Sequence, residues 1–173
     1  MKYLTSLLFL IVLLITAGCV NNNISGIGDV KSDDQLYIES LEGYFNAINN
    51  SYQNLISGNL EGKPIQSSAN NKVISKTYYE KVLPLKVSQK YELSRNSFLL
   101  ALKEYEKSLD YSIQYNQKLE SRQYSVEDLR KISMDAQTSM NIYVVYLKGA
   151  YDTNVCNDLK VKNSPAYTFC GIP

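Results

Sequence analysis

The amino-acid sequence predicts an all-α protein: an antiparallel three- to four-helix bundle with an irregular C-terminal tail that is closed by a disulfide. Apolar residues recur at steps of three and four over several long segments, which is the spacing of one face of an α-helix. Helix-start patterns precede two of these segments. No segment alternates polar and apolar residues for long enough to indicate a strand.

Residues 1–18 have the layout of an export signal. Lys2 precedes a strongly apolar core at residues 7–15, and no charged side chain occurs between residues 3 and 28. Spanning a bilayer takes about 20 mostly apolar residues, and this core is much shorter. We therefore expect a cleaved signal, with an uncleaved signal anchor as the alternative. Both place the remaining chain outside the cytoplasm.

The end of this segment, Thr16-Ala17-Gly18-Cys19, resembles the lipobox of prokaryotic lipoproteins. Ala17 and Gly18 fit the pattern, whereas Thr16 stands where the family usually has Leu. The resemblance implies that Cys19 is lipidated and becomes the new N-terminus, so that the lipid tethers the protein to the extracytoplasmic face of the cell membrane. With an uncleaved anchor, Cys19 would be an ordinary thiol. Residues 19–31, which are rich in Asn and Gly, are predicted to be a flexible tether.

Residues 32–152 are predicted to form the helical bundle, and its first helix begins at a capping box. Ser32 can cap the helix while Gln35 reaches back to it. Gly58 is the predicted end of this helix, because glycine readily adopts the left-handed conformation that follows a helix. The apolar stripe between them consists of Tyr37, Leu41, Tyr44, Phe45, Ile48, Tyr52, Leu55 and Ile56.

The next segments predict a loop at residues 60–71, a short helix at 72–83 and a long helix at 85–121. Pro84 separates the two helices, because proline lacks the amide donor that a continuous helix needs. The long helix is long enough for one end to project from the bundle. Its seam consists of Tyr91, Phe98, Leu102, Tyr105, Leu109, Ile113 and Asn116.

The last long helix begins at a second cap-like start, Ser125 to Asp128. Only residues 123 and 124 separate it from the preceding helix, so the two helices should be antiparallel neighbours. Its seam consists of Leu129, Ile132, Ala136, Met140, Tyr143, Leu147 and Ala150.

Residues 153–173 show no periodicity and are predicted to be an irregular tail. The tail holds Cys156 and Cys170, which an extracytoplasmic compartment would allow to oxidise. We therefore predict a disulfide between them, with two free thiols as the alternative. Closing a loop of this size contributes about 3 kcal/mol in the chain-entropy picture.

The composition argues against several functional classes. The chain has 18 basic and 17 acidic residues, and loss of Lys2 with the signal would balance them, so we expect no nucleic-acid partner. The chain has no His, which excludes Ser-His-Asp and Cys-His catalysis as usually built, and His-based metal and haem sites. We predict no catalytic residue, no metal and no cofactor, and interpret the acidic pairs as solvated helix faces and caps.

A few residues stand out as candidate sites. Arg95 falls on a seam position and could pair with a carboxylate, contact an anionic ligand, or extend its head into solvent. The face formed by residues 140–151 is core if other helices cover it; if it is exposed, Tyr143, Tyr146 and Tyr151 form a surface for a partner protein or a glycan. Asn23 and Asn49 match the N-glycosylation pattern.

Together these patterns predict a membrane-anchored extracytoplasmic helical lipoprotein, with a non-catalytic structural or protein-interaction role. The alternative is a binding module that holds a small amphipathic or anionic ligand in the bundle, with Arg95 or tyrosines as polar contacts. A cavity of several hundred cubic ångströms would favour this alternative, and a packed interior would exclude it. An enzyme using only Asp, Glu and Tyr ranks last. The sequence specifies neither a partner protein nor an oligomeric state.

Overall fold

The computed structural model of the chain describes residues 31–56 and 63–171, and within these ranges it contains helices and no strand. The signal segment, Cys19, Asn23, most of the tether and Gly58 lie outside the described residues. The helices are α1 (Asp33–Ile56), α2 (Pro64–Val82), α3 (Glu92–Ser121), α4 (Val126–Ala150), α5 (Thr153–Val161) and a 3-10 helix (Pro165–Gly171). The predicted all-α bundle is confirmed.

Both predicted capping boxes are present. At the start of α1 the Ser32 amide donates to Gln35 Oε1 at 2.9 Å, and the Gln35 amide donates to Ser32 Oγ at 3.3 Å. At the start of α4 the Asp128 amide donates to Ser125 Oγ at 3.0 Å, and the Ser125 amide donates to the Asp128 carboxylate. These exchanges satisfy amides that have no partner within the helix, and so fix where each helix begins.

Two helix boundaries differ from the sequence prediction. Helix α2 begins at Pro64, although residues 60–71 are predicted to be a loop. Proline suits the first turn of a helix, because the amide it lacks would be unpaired there in any case. Helix α3 begins at Glu92 and not at residue 85, because residues 83–91 form the turn that connects it to α2. The predicted break at Pro84 is correct.

The turn between α2 and α3 is held by the start of α1. Asp33 Oδ2 accepts the Lys86 amide at 2.6 Å, and Asp34 Oδ1 accepts the Ser88 amide at 2.7 Å. The two aspartates therefore join the first helix to a loop more than fifty residues further along the chain. This contact sets the position of α1 against the α2–α3 pair.

The core is built mainly from the predicted seams of α1, α3 and α4, together with residues of α5. Helix α2 contributes Val82 and the 3-10 helix contributes Ala166. Fully buried members include Tyr37, Leu41, Tyr44, Phe98, Leu102, Val155 and Leu159. The Tyr44 and Phe98 rings meet edge to face, with 5.3 Å between their centroids.

The antiparallel α3–α4 pair extends beyond this core. In α3 the seam is buried as far as Leu109, whereas Ile113 and Asn116 are only half-buried. Correspondingly, Leu129 and Ile132 in α4 are half-buried. With its 30 residues, α3 is about 45 Å long. Within the described ranges, the outer part of the hairpin is therefore less covered than the part that ends at Leu109, in agreement with the predicted projection of one end of this helix.

The C-terminal tail is more ordered than the sequence prediction. Residues 153–161 form α5, and Asp152 caps it by accepting the Val155 amide at 3.0 Å. Val155 and Leu159, one turn apart, are both fully buried. A helix of nine residues has too few turns to show periodicity in the sequence, which explains the incorrect prediction of an irregular segment. The predicted Cys156–Cys170 disulfide is present, with 5.8 Å between the Cα atoms.

Candidate ligand-binding groove between α1 and α4

The bundle leaves a groove between its first and last long helices. Helix α2 packs against both α1 and α3, and α3 packs along α4, whereas α1 and α4 share few close backbone contacts. Tyrosine side chains connect them instead. The hydroxyls of Tyr44 and Tyr143 are hydrogen-bonded at 3.2 Å, and the Tyr151 hydroxyl donates to the Leu41 carbonyl at 3.3 Å. The long side chains hold the two helices apart, and a cavity lies beside them.

This main cavity has a volume of about 390 Å³. Its floor includes the rings of Tyr105 from α3 and Tyr143 from α4, which stack with 4.7 Å between centroids. It is reachable from solvent, because Val144 and Lys148 at its rim are exposed. The residues that line it are Ile48, Tyr105, Met140, Tyr143, Val144, Leu147, Lys148, Tyr151 and Phe169.

The 3-10 helix closes one side of the groove through Phe169. The Phe169 ring lies 5.0 Å from the ring of Phe45 in α1 and 5.1 Å from the ring of Tyr151 at the end of α4, measured between centroids. A second cavity of about 290 Å³ adjoins the first and shares Ile48 and Phe169 with it. The second cavity is also lined by Phe45, Asn49 and Tyr52.

The tyrosines around the main cavity are neutral at physiological pH. Burial raises the pKa of Tyr143 to about 12, even though the hydrogen bond from Tyr44 acts in the opposite direction. Burial also raises the pKa of Tyr105, and raises those of Tyr44 and Tyr151 well above their usual value. A phenol of this kind is a weak acid and a weak nucleophile. Apart from Lys148 at the rim, the described walls therefore offer apolar surface and neutral phenol groups.

The three tyrosines of the predicted partner surface lie in the cavity wall or against the core. Tyr143 and Tyr151 are buried and form part of the cavity wall, because α1, α3 and the 3-10 helix cover them. Tyr146 is half-buried and packs against the core. The exposed apolar residues of residues 140–151 are instead Ile142, Val144 and Val145. Tyr143 and Tyr151 are thus not a free partner surface, which corrects the exposed alternative for these two residues.

Arg95 lies away from the groove. Its guanidinium contacts the Leu83 carbonyl and donates from Nε to the Val82 carbonyl at 3.4 Å. Nη1 donates to the Asn96 side chain at 3.2 Å. A cation at the C-terminal end of a helix satisfies carbonyls that have no partner within the helix, and it complements the negative end of the dipole. Arg95 therefore joins α3 to the end of α2.

A polar cluster connects the α5 segment to the α2–α3 turn and to α1. Tyr91 donates its hydroxyl proton to Asp158, and Lys90 Nζ lies 3.2 Å from the same carboxylate. Lys162 and Glu42 form an ion pair at 3.6 Å. Each charge in this cluster has an opposite partner, which is typical of contacts that hold elements together. Among the described residues, no group of three or more Cys, Asp or Glu side chains is arranged to hold a metal ion.

The sequence predicted some residues of the groove but not the groove itself. Their spacing places Ile48 and Tyr105 on helix seams, and both line the main cavity. For Phe169, the only indication in the sequence of a structural role is its position next to Cys170. Asn49 is exposed and lines the second cavity.

Comparisons with known proteins do not assign the chain to a family: no protein-family model, no curated protein and no solved structure matches it significantly. None of the described helices is both long and apolar enough to span a membrane.

Proposed function

We propose that this protein is an extracytoplasmic lipoprotein, anchored through Cys19, whose helical domain binds a small amphipathic molecule in the α1–α4 groove. The observation that carries the proposal is the main cavity of about 390 Å³. Sites for small molecules typically have volumes of about 300–1,000 Å³, with mainly apolar walls and a few polar groups. The role is binding and not catalysis.

The chemistry of the walls favours an apolar ligand segment. Ile48, Met140, Val144 and Leu147 provide aliphatic and thioether surface. The hydroxyls of Tyr143 and Tyr151 already have hydrogen-bond partners within the protein. A polar ligand group placed deep in the cavity would face mainly apolar side chains, and leaving it there without a partner would cost about 1–3 kcal/mol. The polar end of the ligand should therefore remain in water at the rim.

A matched pair of substitutions tests the groove. Val144 lines the main cavity, whereas its neighbour Val145 is exposed and is not part of the wall. We expect the fluorescent apolar probe N-phenylnaphthylamine to bind the wild-type protein. Val144→Trp should weaken binding at least about tenfold, which corresponds to about 1.4 kcal/mol, because the indole ring occupies the cavity. Val145→Trp should leave the affinity unchanged. Equal effects of the two substitutions would contradict the proposal.

The proposed location has support from two separate segments. The short apolar segment and Thr16-Ala17-Gly18-Cys19 resemble a lipoprotein leader. The Cys156–Cys170 disulfide supports an oxidising compartment, because disulfides are rare in the cytosol. Mass spectrometry of protein purified from its native membrane should detect a lipid-modified N-terminal Cys19. An intact Met1 together with an unmodified Cys19 would contradict the anchor and leave the groove proposal unaffected.

A protein-interaction role is the second candidate, and the outer face of α4 favours it. Ile142 is 38% exposed and Val145 is 66% exposed, and they lie three residues apart on that face. Exposed aliphatic residues that lie close together can contribute to a protein interface. In a pull-down from detergent-solubilised membranes, Val145→Asp should release a partner that binds this face. An unchanged set of partners would contradict this role.

A further inference from the structure

The two cavities of the groove share two lining side chains. Both are lined by Ile48 of α1 and by Phe169 of the 3-10 helix. Ile48 belongs to a long helix and is fixed by it. Phe169 belongs to a short segment near the end of the described chain. Its ring stands between a cavity of about 390 Å³ and one of about 290 Å³.

The position of Phe169 is fixed by contacts on each side of it in the chain. Cys170, the next residue, is covalently bound to Cys156 in α5. Ala166, three residues earlier, is 1% exposed and packs into the core. The ring itself packs between Phe45 and Tyr151. These contacts hold the ring across the groove, so that it forms a wall and not a loose side chain.

The second cavity continues the same kind of surface as the first. Phe45, Ile48 and Tyr52 lie three to four residues apart on one face of α1, and Asn49 is the amide side chain among them. Among the described residues, no charged side chain lines this second cavity. The part of a ligand that reaches both cavities therefore meets aromatic and aliphatic groups almost throughout. An alkyl chain matches this surface, because it has no polar group that would need a partner.

We propose that the groove binds the alkyl chain of a single-chain amphiphile, and that Phe169 limits the length of chain the groove accepts. This inference rests on the proposed function of the groove. The main cavity takes the chain from the rim at Val144, and the Phe169 ring stops it at the boundary with the second cavity. Chain beyond that point stays in water. Removing the ring joins the two cavities, and a longer chain then fits.

This arrangement has a measurable signature in the dependence of affinity on chain length. Each methylene that leaves water raises the affinity about fourfold. For the wild-type protein, the affinity should rise with chain length and then level off where the chain reaches Phe169. For Phe169→Ala, the rise should continue to longer chains, because further methylenes enter the second cavity.

The experiment uses the full chain and the displacement of N-phenylnaphthylamine by octanoate, decanoate, dodecanoate, tetradecanoate and hexadecanoate. Phe169→Ala is compared with Tyr167→Ala, which removes an aromatic ring from the same 3-10 helix at a position that is 41% exposed and lines neither cavity. Phe169→Leu is a second variant, since it keeps a side chain in the core. Circular dichroism melting confirms that each variant is folded.

We expect the affinity of the wild type and of Tyr167→Ala to level off at the same chain length, and that of Phe169→Ala to level off at a longer one. Phe169→Leu should lie between them. Identical plateaus in the wild type and Phe169→Ala would overturn the role of Phe169 while leaving ligand binding intact. The same conclusion holds if Phe169→Ala weakens all chain lengths equally. Failure of the wild type to bind either the probe or any alkanoate would overturn the proposed function, and the role of Phe169 with it.

Discussion

The contact between Tyr44 and Tyr143 shows how single residues set the width of the groove. The two hydroxyls, which belong to α1 and α4, are 3.2 Å apart and buried. Each is the other's hydrogen-bond partner, so neither hydroxyl is left buried without a partner. Two shorter apolar side chains would not bridge the helices at this separation. The tyrosines therefore act as struts that hold the wall of the cavity in place.

Loss of one hydroxyl from this pair should destabilise the fold. In Tyr143→Phe the Tyr44 hydroxyl stays buried without its partner, which costs about 1–3 kcal/mol. Replacing both with Phe removes the unpaired group, so the double variant should be more stable than Tyr143→Phe alone. Urea unfolding of the wild type, the two single variants and the double variant measures this. Tyr124→Phe, at an exposed position, is the control. If the loss of unfolding free energy in the double variant equals the sum of the losses in the two single variants, the proposed pairing is contradicted.

At the scale of elements, the long helices follow from the sequence and the short ones do not. The capping boxes at Ser32 and Ser125 predicted two helix starts correctly, because capping is a local interaction within one turn. Periodicity predicted buried positions such as Leu102 and Leu147. It predicted the helix at residues 72–83 but missed the first turns of α2, which are rich in Ser and Asn and show no apolar stripe. The burial of Ser67 within those turns comes from packing with other elements.

Buried serines illustrate a second limit of sequence reasoning. Ser75 of α2 donates its hydroxyl proton to the Leu102 carbonyl at 2.9 Å. Ser94 of α3 hydrogen-bonds Tyr37 at 2.7 Å and also contacts the Ala150 carbonyl. Such partners are decided by which helices meet, and a single sequence does not contain that information. The groove has the same origin, because it depends on the distance between α1 and α4 and on where the disulfide holds Phe169.

Two leucines on α3 test which face of this helix is buried. Leu102 is 1% exposed, whereas Leu100, two residues earlier, is 44% exposed. Leu102→Ala should destabilise the protein by about 2–5 kcal/mol, because it removes buried methyl groups and leaves a cavity. Leu100→Ala should change the stability by much less. Thermal melting followed by circular dichroism measures both. Similar losses for the two variants would mean that the orientation of α3 is wrong.

At the scale of the whole molecule, the buried tyrosines make the fold sensitive to high pH. The pKa of Tyr143 is about 12, and burial also raises the pKa of Tyr37, Tyr44 and Tyr151 above the usual value. In the unfolded chain these groups titrate near pH 10. Above about pH 10 the unfolded state therefore loses protons that the folded state retains, and this favours unfolding.

We therefore expect full stability below about pH 10 and a progressive loss between about pH 10 and pH 12. Each tyrosine that remains protonated only in the folded state contributes a slope of about 1.4 kcal/mol per pH unit. Urea midpoints measured across this range test the slope, while tyrosinate absorbance follows the titration. The buried tyrosines should ionise together with unfolding. A stability that does not change above pH 10 would contradict this prediction.

The disulfide connects the end of the chain to the rest of the core, so its removal tests how far the tail contributes to the whole fold. Cys156 lies in α5 and Cys170 in the 3-10 helix. The bond restricts the conformations that the unfolded chain can adopt. Its loss in the Cys156→Ser/Cys170→Ser variant should therefore lower the free energy of unfolding by about 3 kcal/mol. The helical content should stay close to that of the wild type, because α1 to α4 have their own packing contacts.

A reducing agent supplies the control for this prediction. It should lower the urea midpoint of the wild type toward that of the double serine variant, and it should leave the variant itself unchanged. Since Phe169 is adjacent to Cys170, the same treatment should also weaken the chain-length limit of the groove in the wild type. If reduction destabilises the wild type and the variant alike, the effect does not come from this bond. If the variant loses most of its helical signal, the tail is required for the bundle to form and does not merely stabilise it.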